Sequence, residues 1–506
     1  MTRGNQLPRQ GITMNYTANR ALLLDYYELT MAQGYHALGL QDKVATFNLF
    51  FREIPFNGGY AIVGGIAPAL EYLQHVQFTS DDIEYLKGQG LFTGEFLDYL
   101  SSFKFSGSVD GLPEGTVAFP HEPLLQVTAP IIEAQLVESA LLNIVNYSTL
   151  IATKTSRICY AAREAKVVEF GLRRAQGDGA FLGTRAAMIG GAVSTSFVHA
   201  GKILDAPVTG TQAHSWIQVF DSELEAFRAY AKVFPAKCLL LIDTYNVLNS
   251  GLGNAIQVAK ELHAEGNELL GVRIDSGDLA YLAVEVYRKF KEEGFPNITI
   301  VLSNDLDETL IETITLQIVA PGNNFTEDEL QLRKDVVAHL MHGVGTKLIT
   351  GGSQASLGGV YKLVAVDGEP RIKLSENSTK IIDPGIKQVY RVMDPAQETF
   401  LADVIALHDE GEPVPGSWIY HPAEERKKYK LETAIVSTPL MIPFIENGCI
   451  VLDQEALDWK KARDRCAADL TMLHPTYKRL INPHEYKVSL SEKLHALKQE
   501  LIDKYA

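Results

Sequence analysis

Cys238-Leu239-Leu240-Leu241-Ile242-Asp243-Thr244-Tyr245 is an apolar run that stops abruptly on a carboxylate and a hydroxyl. A short apolar run bounded in this way reads as a buried strand whose tip carries polar groups. The figure recurs. Val167 onward ends in Glu169-Phe170-Gly171-Leu172-Arg173-Arg174, and Ala206-Pro207-Val208 leads into Gly210 to Ser215. Arg273-Ile274-Asp275-Ser276-Gly277-Asp278 follows, then Ser303-Asn304-Asp305 after Ile298 to Leu302, then Gly343-Val344-Gly345-Thr346. The spacing is roughly 30 to 40 residues, with helical patterns between, which fits one βα unit each. An open doubly wound sheet shares that rhythm but concentrates function around a switch point. Polar clusters after six strands favour an α/β fold of the (β/α) barrel kind, which gathers strand ends at one mouth.

Outward from this core, the periodicity predicts a helix from Asn19 to Tyr35 ending near Gly34, and a strand over Thr46–Phe51. Asn57-Gly58-Gly59-Tyr60 turns the chain into a helix toward His75, short helices fill 81–100, and 107–127 is β-containing. The longest helical pattern covers Ile131 to Thr153. Val360–Val366, Asp367-Gly368 and Arg371–Leu374 form a hairpin signal. The expected division is a flanking α/β domain over 1–154, a catalytic barrel over 155–366, and a C-terminal region over 367–506 that partly completes the flank.

With 506 residues, 46% of them hydrophobic, the chain has material for two or three domains. Its formal charge of -16 repels nucleic acid and anionic membranes, so a polyanionic substrate must be met by local Arg or by a divalent cation. No apolar run reaches the about 18 residues needed to span a bilayer. The N-terminal MTRGNQLPRQGITMNY lacks a signal peptide's apolar core and reads as a loose tail. Cysteines 159, 238, 449 and 466 share no CxxC spacing and read as reduced thiols of a cytoplasmic protein.

The clusters suggest phosphate chemistry. Around His214, Gly210 permits close backbone approach, Thr209, Thr211 and Ser215 offer hydroxyls, and the imidazole is a potential nucleophile; taken alone, the stretch is also compatible with a turn bearing a solvated His. Arg173, Arg174 and Arg273 suit bidentate binding of phosphate or carboxylate; any one alone reads more readily as a surface ion pair, but three at successive strand ends favour an anion site. Asp243, Asp275 and Asp278 offer oxygen ligands for Mg2+, while Ser276-Gly277-Asp278 is also a plausible helix start. Gly343, Gly345 and Thr346, with Gly351 and Gly352, form a second glycine-rich cradle for a phosphate.

These motifs resemble the nicotinate phosphoribosyltransferase family. Tyr27 in LLLDYYELTM, EFGLRRAQG from Glu169, GTQAHS from Gly210, DTY from Asp243, RIDSGDL from Arg273, SNDLDE from Ser303, and GVGTKL with LGGVYKLV from Gly343 occur in the family's order, and RLINPHEYKVSL from Arg479 adds to them. The resemblance implies an irregular barrel of the type II phosphoribosyltransferase kind, with a discontinuous flanking α/β domain and a small C-terminal region. It implies transfer of a phosphoribosyl group from 5-phosphoribosyl-1-diphosphate to nicotinate, giving nicotinate mononucleotide for NAD biosynthesis, coupled to ATP hydrolysis through a phosphohistidine at His214. It further implies a homodimer with shared sites, in which Tyr27 stacks on the pyridine ring from the neighbouring subunit. Arg173, Arg273 and Ser215 match positions near the ring carboxylate or the phosphates. His214, Arg273 and Asp243 are thus the expected catalytic residues. Substrate contacts are expected from Tyr27, Arg173, Arg174, Ser215, Asp275, Ser276, Gly277, Ser303, Gly343, Gly345 and Thr346, with Mg2+ on Asp243, Asp275 and Asp278.

Three departures from the family pattern stand out. Leu24 precedes Asp25 where LLTD is common, Phe197 stands where Asn is common, and Cys449 and Cys466 cannot build the zinc knuckle of some relatives. The competing readings are a transferase for nicotinamide or quinolinate, and a non-catalytic phosphosugar or nucleotide sensor.

Overall fold

Short apolar runs do become parallel strands in the computed structural model, which describes residues 20–320, 325–424, 426–432 and 434–505. The expected N-terminal tail, residues 1–16, lies outside them. The chain divides into two units, one formed by residues up to Thr153 together with those from Ser356 on, the other by Lys154–Ala355.

The second unit is built on a six-stranded parallel half-barrel sheet. Its strands are β1 (Lys166–Glu169), β2 (Ser194–Thr195), β3 (Leu239–Leu241), β4 (Gly271–Ile274), β5 (Thr299–Leu302) and β6 (Leu340–Val344), in the order β2-β1-β6-β5-β4-β3. Every pairing is parallel. Val272, Ile274, Ile300 and Leu302 are buried at 0% exposure, as continuous apolar strands covered by helices require. Because register is shared, Arg273, Val301 and Met341 lie level across the sheet, and the tips of β3 to β6 end together.

One of the six expected strands differs. The lead-in Ala206-Pro207-Val208 contributes only a parallel bridge, Val208 to Thr195, and the sixth strand is the two-residue β2. Pro207 has no N–H to give a ladder, so this segment joins only at the edge: its carbonyl accepts from Thr195 N at 3.1 Å and Thr209 N donates to Thr195 O at 2.9 Å.

The first unit carries a seven-stranded antiparallel sheet in which Val44–Phe50 pairs on one side with Leu125–Pro130 and on the other with Val360–Val366. Residues 356–366 therefore belong with the flanking sheet, which makes that unit discontinuous in sequence. The expected hairpin forms at Asp367-Gly368, φ +52° and +78°, but its second strand is only Glu369–Pro370. The N-terminal helix is Tyr26–Ala37, with Asp25 at the N-cap position but making no side-chain capping bond; it runs through Gly34 and stops before Gly39, φ +69°. Helices Ile131–Leu136 and Glu138–Ala162 replace the single long helix expected from Ile131. No disulfide joins the cysteines, and among the described residues no helix is long and apolar enough to cross a membrane.

Candidate active site

The tips of β3, β4 and β5 are tied into one polar network. Asp243, just past β3 and 9% exposed, accepts through Oδ2 from the Asp275 backbone N–H at 2.9 Å and from the Ser276 hydroxyl at 2.6 Å. Arg273, near the end of β4, donates from Nε to Ser303 Oγ at 2.9 Å and from Nη2 to Asp275 Oδ2 at 3.2 Å. Ser303, 3% exposed at the end of β5, donates its own hydroxyl to Asp275 Oδ1 at 2.7 Å. Guanidinium and carboxylate are thus fixed by a common hydroxyl. Two of the five N–H donors of Arg273 are spent here, which leaves a cationic edge for an anion.

His214 opens the short helix His214–Gln218, and its Nδ1 lies 3.1 Å from Thr244 Oγ1, the residue after Asp243. The histidine loop and the β3 tip therefore meet. Ser215 is exposed in the same helical turn. Arg173 and Arg174 project from the turn closed by Arg174 N to Gly171 O at 2.7 Å; both are exposed, without a carboxylate partner among the described residues. Gly343 and Gly345 pack against Phe170: a Cβ on Gly343 would fall 2.4 Å from the Phe170 ring, so only hydrogen fits there. Thr346 starts the four-residue helix Thr346–Ile349. Beside Ser303, Asn304 and Asp305 hold φ of +104° and +47°, a strained exit of the kind that persists where surrounding structure over-determines it.

Asp243 Oδ1 is buried with no hydrogen-bond partner among the described residues. A buried carboxylate oxygen left open beside a second carboxylate suits a hard cation, and Mg2+ commonly takes one or two carboxylates with substrate phosphates completing its shell. No cluster of three or more His, Cys, Asp or Glu is arranged for a metal among the described residues. Asp278 serves the helix that follows, its Oδ1 accepting from Tyr281 N at 3.1 Å at the head of Leu279–Glu292, and Gly277 makes the turn into it with φ +82°.

Comparison with known proteins gives the family. Residues 165–403 match the nicotinate phosphoribosyltransferase (NAPRTase) family, 22–146 its N-terminal domain and 386–498 its C-terminal domain. The chain belongs to the nicotinate phosphoribosyltransferase family. Nicotinate phosphoribosyltransferase of Bacillus subtilis (strain 168) is 39% identical, the match covering 95% of each chain. That of Caenorhabditis elegans is 34% identical over 96% of this chain and 94% of its own. The crystal structure of human nicotinic acid phosphoribosyltransferase superposes with a TM-score of 0.80 at 31% identity, covering 94% of this chain and 99% of that one. Nicotinate-nucleotide pyrophosphorylase from Pyrococcus furiosus, at 21% identity and a TM-score of 0.66, shares the fold.

Of the residues singled out in the sequence, the geometry brings together Asp243, Asp275, Ser276, Arg273 and Ser303, with His214 joined through Thr244. Tyr27 lies in the first unit, on helix Tyr26–Ala37, and is 46% exposed. Phe170, Thr244 and Gln212 stand inside the quoted motifs, but sequence reading assigned none of them a role of its own. Phe170 places its ring 5.6 Å beneath the Arg273 guanidinium, a cation–π distance, and reads in sequence as core packing. Gln212 is buried with neither amide atom partnered among the described residues; only its position two residues before His214 could have marked it. A cavity of about 980 Å³ lies elsewhere, around the strand starts at Leu239, Leu270 and Thr299 with His263 and Phe295. Thr209 reaches its wall, but Asp243, Arg273, Asp275, Ser303 and His214 do not line it.

Proposed function

We propose that the chain joins nicotinate to 5-phosphoribosyl-1-diphosphate, releasing diphosphate and giving nicotinate mononucleotide for NAD biosynthesis, and that ATP hydrolysis is coupled to this through phosphorylation of His214. The observation that carries the reading is the Arg273–Ser303–Asp275 network beside the open oxygen of Asp243, within one rim of parallel strand tips.

The pyridine nitrogen of nicotinate has a free lone pair, so no strong base is required for attack on the sugar's C1. Catalysis falls to positioning, to stabilising charge on the departing diphosphate, and to excluding water from an oxocarbenium-like state. Arg273 offers its unspent donors to an anionic group, Arg173 and Arg174 supply free cations, and the backbone of Gly343 to Thr346 supplies close approach. Asp243 and Asp275 would hold Mg2+, which when bound neutralises diphosphate charge. Asp278 is occupied as a cap, so the magnesium proposal rests on the other two. Phosphorylation would add about -1.5 to -2 of charge to His214, next to Thr244 and the Asp243 loop, which is sufficient to change donor affinity. A cytoplasmic homodimer completes the reading, with the half-exposed ring of Tyr27 offered to the partner's site.

The test is nicotinate and nicotinamide assayed side by side with the donor and Mg2+, with and without ATP. Nicotinate mononucleotide formed faster with ATP is expected. Product from nicotinamide alone overturns the assigned base, and no product from either overturns the catalytic reading in favour of a sensor.

A further inference from the structure

Glu169 closes β1, is 0% exposed, and has no part in the chemistry above. Its Oε1 accepts the Gly171 backbone N–H, and its Oε2 accepts the hydroxyls of Thr195 at 2.6 Å and Thr184 at 3.2 Å. Thr195 Oγ1 in turn accepts from Phe197 N at 2.9 Å. The backbone adds Ser196 N to Glu169 O at 2.9 Å and Phe170 N to Val344 O at 2.8 Å. One carboxylate thus joins the exits of β1 and β2 to helix Gly179–Ile189. Burial raises its pKa while the three donors pull the other way. Gly171 makes the contact possible: a Cβ there would stand 2.7 Å from Glu169 Oε1 and 2.5 Å from Ile349 Cβ.

Phe170 sits between the two bonded residues. Just past the end of β1, its ring fills the space against Gly343 and lies 5.6 Å from the Arg273 guanidinium. We infer that Glu169 is a positioning residue for the transfer reaction: by pinning Gly171 and Thr195 it fixes the Phe170 ring against the glycine loop, and that ring holds the Arg273 fork in register with the substrate anion. This rests on the reading that Arg273 meets an anionic substrate. A carboxylate kept only for folding would show itself in stability and not in substrate affinity.

The experiment compares Glu169→Gln, Phe170→Leu, their double variant and Arg273→Lys in the full chain, with kcat, KM for nicotinate and for the donor, and Tm for each. Glu169→Gln preserves shape but replaces one accepting oxygen by a donor. It is expected to raise one substrate's KM about five- to tenfold, the scale of one weakened charged hydrogen bond, with kcat within about threefold. The double variant is expected to match Phe170→Leu alone, because both act through the same ring. Thr195→Val, which removes one donor and leaves the carboxylate, should give the same KM signature more weakly and serves if Glu169→Gln does not fold. Independent, multiplying effects of Glu169→Gln and Phe170→Leu, or a lowered Tm with unchanged KM, overturn the positioning role while an impaired Arg273→Lys keeps the reading of Arg273. An unimpaired Arg273→Lys removes that reading and this inference with it.

Discussion

Replacing Ser303 by alanine removes the atom through which β4 and β5 share a load. Ser303 Oγ accepts from Arg273 Nε at 2.9 Å and donates to Asp275 Oδ1 at 2.7 Å, so both bonds vanish and leave a guanidinium N–H and a carboxylate oxygen short of a partner. Hydrogen bonds to charged groups contribute about 1.5–3 kcal/mol each. Arg273 and Asp275 retain 17% and 30% side-chain exposure, so water recovers part of the loss. A net loss of about 2 kcal/mol remains, and at about 1.4 kcal/mol per decade this corresponds to a drop of up to about 30-fold in kcat/KM if the network positions the substrate. Urea unfolding measures the first quantity and initial rates of nicotinate mononucleotide formation the second. Ser303→Ala with lowered stability but kcat/KM within about twofold of the parent would show that the network only holds strands together, and would refute its role at the site.

Further predictions concern the same rim and its support. His214→Ala, incubated with ATP labelled in its terminal phosphoryl group, is expected to yield no acid-labile phosphoenzyme; label retained on the variant removes His214 from that role. Gly343→Ala forces a methyl to 2.4 Å from the Phe170 ring and should destabilise the chain by about 1–3 kcal/mol with loss of activity, read by unfolding and rate assays; a neutral variant would show that the loop and ring part easily. His342, fully buried with neither ring nitrogen partnered among the described residues, is held down to about 4 from 6.5 by desolvation. Between those two values the unfolded chain takes up a proton that the native chain does not, so stability falls as pH falls, by up to about 3 kcal/mol, and levels off below the lower value. His342→Phe should flatten that acid limb in urea unfolding at a series of pH values; an unchanged limb would place its cause elsewhere.

The barrel half was readable in the sequence because its strands are short apolar runs whose polar tips mark where they end, and Asp243, Arg273, Asp275 and Ser303 all sit on such tips. Pairing partners were less legible. Val360–Val366 scans as a strand, yet its neighbour is Val44–Phe50, more than 300 residues earlier, and nothing local announces that pairing. The Ala206–Val208 lead-in looked like a strand because its apolar content outweighed the missing N–H of Pro207. Asp278 carried both of its meanings in the sequence, and capping is the one its side chain makes. Phe170 and Glu169 stayed hidden because an aromatic and a carboxylate at a strand end resemble packing and solvation until their neighbours, Arg273 and Thr195, are known.

A crystal structure of the full chain with 5-phosphoribosyl-1-diphosphate and Mg2+ tests the central claim most directly. The sugar diphosphate should lie across the tips of β3 to β6, within hydrogen-bond distance of Arg273 and with the cation on Asp243. Density for it in the cavity at the strand starts by Leu239 and Thr299, with the Arg273–Ser303–Asp275 network untouched, would contradict the account.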